Sequence, residues 1–80
     1  MKIPRDISGR VLIAYLKPFG YTVTRQSGSH IRLSTEKKGQ HHNTIPGHDP
    51  LKIGTLSAIL PDIANHFSTT KEALIKELFG

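Results

Sequence analysis

The chain's 80 residues include no cysteine. Disulfides and thiolate metal sites are therefore excluded, and the absence suits a reducing cytoplasm, the expected location. No apolar run approaches the ~20 residues of a membrane span, and no signal-peptide pattern opens the chain. No membrane role is expected. No internal repeat, low-complexity tract or linker interrupts the sequence, so residues 1–80 read as a single domain. A core this small is marginal, and burial by a partner would help it.

Acidic side chains are also scarce: six Asp and Glu stand against eleven Lys and Arg, for a net charge of +5. The excess is unevenly placed. Residues 1–52 carry nine basic and three acidic side chains, a balance of +6, and residues 53–80 carry two and three, a balance of −1. A basic half beside a near-neutral half suggests a surface for a polyanion, although solubilising charge is the plainer explanation.

What is present is clear periodicity. Ile7, Val11, Leu12, Tyr15, Leu16 and Phe19 recur at helical spacing and predict one apolar stripe. Ser8 is placed to cap that helix, and Pro18 and Gly20 to stop it. "YTVTRQ" alternates as a strand, with Tyr21 and Val23 on one face and Thr22 and Thr24 on the other. "SGS" is a turn, "HIRLST" a second strand, "EKKGQ" a turn and "HHNTI" a third strand. Pro46, Gly47 and Pro50 make a loop. Leu56, Ile59, Leu60 and Ile63 mark a second helix, expected to kink or divide at Pro61. Thr69 with Glu72 reads as a capping box for a last short helix bearing Leu74, Ile75, Leu78 and Phe79. The expected fold is α+β: α-β-β-β-α with a three-stranded antiparallel sheet, helices on one face and an extra short C-terminal helix.

In "HIRLS" the side chains alternate across the sheet. Ile31 and Leu33 must face the helices, so His30, Arg32 and Ser34 share the open face. An imidazole and a guanidinium two residues apart suit a phosphodiester. Arg32 can hold the phosphate, and His30 can move a proton near neutral pH. Gly28 lets the backbone turn with positive φ or pass close to a ligand. The plainer reading makes His30 a polar residue on a wet sheet face.

The order and spacing of "SGRVLIAYLKPFGYTVTRQSGSHIRLS" and "TIPGHDPLKIGTLSAIL" resemble the HicA toxin family of small bacterial and archaeal endoribonucleases. Three features carry the likeness: a helix ending in "GY", "GSH" opening a strand, and "IPGH…L..GTL..IL" entering the second helix. The likeness runs from about Ser8 to Leu60, and the tail after Ile63 extends beyond it. It implies a fold like a double-stranded-RNA-binding domain, activity as an mRNA interferase, and neutralisation by a HicB antitoxin. The family's "GSH" histidine is its catalytic residue and maps onto His30.

RNA carries its own nucleophile, the 2′-OH beside the scissile phosphate, so the cleavage requires no metal or other cofactor. A neutral imidazole can take its proton, and Arg32 or Arg25 can steady the phosphorane charge. The acid that protonates the leaving 5′-oxygen is not named by the sequence. His48 in "PGH" is one candidate; its alternative is a loop residue that supports the fold or touches the antitoxin. The expected RNA contacts are Arg25, Gly28, Ser29 and Arg32, with Lys37 and Lys38 of the hairpin turn as contacts or as solvated turn residues. His41, His42 and His48 invite a zinc reading, but adjacent strand residues point to opposite faces and cannot easily share an ion. His66, near a helix end, reads as solvated or compensating the helix dipole.

Two functions from different classes follow: a toxin ribonuclease, or a non-catalytic RNA-binding module of the same fold. A binder of duplex RNA needs positive patches but no imidazole chemistry, so "GSH" discriminates between them. A third, a domain whose basic face meets only an acidic protein, is separated by salt-sensitive RNA binding.

Overall fold

The computed structural model describes residues 7–80. Ser8 begins the first helix, α1 (Gly9–Leu16), where its Oγ accepts the Val11 N–H at 3.2 Å. Ile7 just before the cap and Leu12 in the next turn are both buried, the two positions of a hydrophobic staple. The buried stripe of α1 is Gly9, Leu12, Ile13 and Leu16. This corrects the predicted stripe: Val11 and Tyr15 lie on its flank, 46% and 43% exposed. A 3-10 turn, Lys17–Phe19, follows around Pro18, and Gly20 closes it at φ 84°.

Three strands then form an antiparallel meander in the order β1 (Thr22–Ser27), β2 (His30–Thr35), β3 (His41–Pro46). Gly28 and Ser29 join the first two. Gly28 has φ 59° and Ser29 is not left-handed, the pattern of a type II′ turn with glycine first. Ile31, Leu33 and Thr35 of β2 and Ile45 of β3 are buried against the helices. The faces predicted for β1 hold: Val23 pairs with Leu33, and Thr22 with Ser34 on the other side. Tyr21 is buried just before the strand, but Val23 is 53% exposed. Val23 pairs with Leu33 on the helix side, yet β1 is an edge strand with no residue buried. A register shift between Val23 and Arg25 then breaks the alternation.

The second helix, α2 (Ile53–His66), carries Pro61 inside it, so of the kink or division expected there the division does not occur. Pro61 lies on the exposed side, where water can satisfy the carbonyl it leaves unpaired. Leu56, Ile59, Leu60, Ile63 and Ala64 on the other side are buried in the shared core. The last helix, α3 (Lys71–Phe79), is capped by Thr70, whose Oγ1 accepts from Ala73 N at 3.1 Å. The cap therefore lies one residue beyond the expected Thr69, and the Thr69–Glu72 box does not form, since the third helical position is Ala73. Ser68 is left-handed at φ 55°, Ser68 N–H bonds the Asn65 carbonyl, and Thr69 N–H bonds the Ala64 carbonyl. That is a Schellman ending for α2, and it consumes Thr69 before α3 begins. Leu74, Ile75 and Leu78 complete the core, and Phe79 meets Tyr15 of α1 edge-on at 5.1 Å. The result is the α+β, α-β-β-β-α layout of a double-stranded-RNA-binding domain, with one sheet face open.

Candidate nucleic-acid interface

Strand register arranges the open face in rows. Ser27, His30 and Pro46 form the first, Arg25, Arg32 and Thr44 the second, and Thr22, Ser34 and His42 the third. His30 and Arg32 are exposed and Ser34 half-buried, while Ile31 and Leu33 between them are buried. The alternation expected for β2 is therefore present. Among the described residues no hydrogen bond holds the His30 ring, which stands clear at the turn end of the sheet.

The register shift in β1 decides what surrounds it. Strict alternation would put Arg25 on the face opposite Thr24. The irregularity brings Thr24 and Arg25 to the same side, where Arg25 stands directly opposite Arg32. Like charges opposed across two strands repel. Among the described residues neither arginine has an ion-pair partner; the ion pair there is His41–Asp62. Beyond the arginines lies a groove of about 540 Å³, lined by Gly20, Thr22, Thr24, Arg25, Arg32, Ser34, Glu36, Gln40 and His42. His42 was not singled out as a site residue in the sequence, because its place beside Ser34 depends on the pairing of β2 with β3.

The "PGH" loop is stitched beside the turn that presents His30. Gly47 N–H bonds the Ser29 carbonyl, and Gly9 N–H bonds the His48 carbonyl at 3.0 Å. Gly9 is required here, because a β-carbon would run into the Pro46 carbonyl oxygen. His48 is exposed, two residues beyond the strand partner of His30. Lys37 is turned to other use: its ammonium donates to the Pro18 carbonyl at 2.9 Å. Lys38 is exposed in the β2–β3 turn with φ 56°.

His41 and His42 do point to opposite faces. On the helix side, His41 Nδ1 lies 2.7 Å from the Tyr21 hydroxyl and its Nε2 lies 3.2 Å from Asp62, which also accepts from Asn43. Burial, and secondarily the Asp62 carboxylate, push the Tyr21 hydroxyl up to about 12. His66 stacks on His41 at 4.5 Å and donates from Nε2 to the Lys37 carbonyl. It is thus a tie between α2 and the β2–β3 turn, and it stands in the last turn of α2, where a solvated or dipole-compensating residue was expected. Among the described residues no group of three or more His, Cys, Asp or Glu is placed to hold a metal. No helix among them is long and apolar enough to cross a membrane.

No curated protein and no solved structure matches the chain. The family model described as "HicA toxin of bacterial toxin-antitoxin" matches residues 9–64, from the start of α1 almost to the end of α2. This span holds the whole sheet, the "GSH" turn and the "PGH" loop. The chain belongs to the HicA toxin family of bacterial toxin–antitoxin systems.

Proposed function

We propose that this toxin is an endoribonuclease that cleaves mRNA, with His30 as general base. The observation that carries the reading is the placement of His30: exposed on the polar sheet face, one row from the Arg25–Arg32 pair, in a chain of this family. His30 removes the proton of a ribose 2′-OH. The 2′-oxygen attacks the adjacent phosphorus, the P–O5′ bond breaks, and the products are a 2′,3′-cyclic phosphate and a 5′-hydroxyl. Arg32 and Arg25 hold the phosphate and stabilise the charge of the phosphorane. The backbone of Gly28 and Ser29 lets the strand approach the turn. Because RNA supplies the nucleophile, the mechanism needs no metal.

His48 is the candidate for the acid that protonates the 5′-oxygen, since its loop is tied to Ser29 beside His30. The neutralising partner in this reading is a HicB-type antitoxin, and the chain works in the cytoplasm.

The test is single-turnover cleavage of mRNA by purified protein. His30→Ala should lose about 10²- to 10⁴-fold in rate, the usual worth of a general base. Its thermal midpoint should stay near that of wild type, because the side chain is exposed. Cleavage at the wild-type rate would remove His30 from the chemistry. A loss of similar depth in His48→Ala would identify it as the acid.

A further inference from the structure

The third row of the open face holds a hydrogen-bond chain. Thr24 Oγ1 lies 3.4 Å from the Arg32 carbonyl and 3.3 Å from Ser34 Oγ. Ser34 Oγ lies 2.5 Å from His42 Nδ1, a short contact that orients the ring. His42 Nδ1 is thereby occupied and Nε2 turns outward, a donor or an acceptor according to the tautomer. His42 is exposed, lines the groove, and has no Nε2 partner among the described residues.

An oriented imidazole nitrogen beside two opposed arginines, unpaired among the described residues, describes a ligand with an anionic part and a nearby hydrogen-bonding group. A nucleotide has both. His42 sits opposite Ser34, four residues along β2 from His30, or about 13 Å at strand rise. A proton-transfer partner of the same phosphodiester must lie within about 3 Å of the reacting oxygen. With backbone positions this far apart, His42 is assigned to a neighbouring part of the ligand and His30 to the reacting phosphate.

We propose that this groove is a specificity subsite for a nucleotide neighbouring the scissile phosphate. The phosphate lies between Arg25 and Arg32, and a hydrogen-bonding group on the base edge meets His42 Nε2. This deepens the ribonuclease reading and rests on it for the word "scissile"; the groove itself is tested without cleavage. Splayed single-stranded bases read along their edges are the usual basis of sequence-specific RNA recognition. Phosphate contacts hold the strand, and the base contact selects it.

Two experiments decide it. The first follows the sheet amides by NMR, and in wild type also the His42 ring, during titration with AMP, CMP, GMP and UMP. The four nucleotides should shift the ring and bind with graded affinity, and His42→Ala should flatten that grading. Equal affinity of all four for wild type, or grading retained in His42→Ala, overturns the subsite even if the protein cleaves RNA. The second maps cleavage of a random RNA pool. His42→Ala should lower kcat/KM at preferred sites about tenfold, through KM, and broaden the cleavage pattern. An unchanged pattern, or a loss confined to kcat, overturns the assignment. Absence of cleavage by wild type would defeat the ribonuclease reading alone, since the titration still reports on the groove.

Discussion

At the residue scale, the imidazoles of the sheet have divergent fates that follow from their partners. His30 is held by no hydrogen bond among the described residues, His42 is oriented by Ser34, and His41 is enclosed between Tyr21 and Asp62. The last arrangement has a measurable signature. Folded Tyr21 keeps its proton up to about 12 because burial, then Asp62, disfavours the phenolate. An unfolded tyrosine releases it near 10. Between those values the unfolded chain binds fewer protons than the folded one, so stability falls as pH rises through that window. Denaturant unfolding from about pH 9 to about pH 12 should show the fall, and Tyr21→Phe should lessen it. Identical slopes for variant and wild type would remove this role. At neutral pH the same substitution should cost about 1–2 kcal/mol, because His41 Nδ1 loses its donor in a half-buried site.

At the element scale, the site depends on how α1 meets the loop after β3. Gly9 N–H bonds the His48 carbonyl, Leu51 N–H bonds the Ile7 carbonyl, and no room is left for a β-carbon on Gly9. Gly9→Ala must push the Pro46–His48 backbone away from α1, and with it the bond from Gly47 to Ser29. The expected outcome is a loss of about 1–3 kcal/mol in urea unfolding, typical of overpacking. Amide resonances of Ser29, His30 and Gly47 should shift as well. A variant of wild-type stability with those amides unmoved would show that the loop tolerates displacement. Helix propensity alone predicts the opposite sign, since alanine is favoured over glycine within a helix by about 1 kcal/mol.

At the scale of the whole molecule, charge and fold coincide. The basic excess of residues 1–52 includes the sheet, whose open face is covered by no helix among the described residues. A toxin must be silenced in the cell that makes it, and an acidic partner laid over that face would be steered there electrostatically. The expected outcome is that saturating antitoxin blocks RNA binding and protects His30 from chemical modification. An inhibited complex in which His30 stays reactive and RNA stays bound would point to inhibition from another surface, such as α3.

Much of this architecture is legible in the sequence because local rules govern it. Ser8 caps α1, Pro18 and Gly20 end it, Gly28 requires a tight hairpin, and alternation in "HIRLST" sends His30 and Arg32 to the polar face. Each depends on sterics or hydrogen bonds within a few residues. The errors arise where a distant partner decides. Whether Val11 and Tyr15 are buried depends on how far the facing elements extend. The shift from Thr69 to Thr70 depends on how α2 finishes. The groove is the clearest instance. An irregularity between Val23 and Arg25 brings Arg25 opposite Arg32, and the β2–β3 register sets His42 against Ser34. No residue in either segment announces its partner on the neighbouring strand. The sequence by itself determined the elements and the face on which His30 stands; only pairing in three dimensions, where register is a property of two strands at once, assembled the groove beside it.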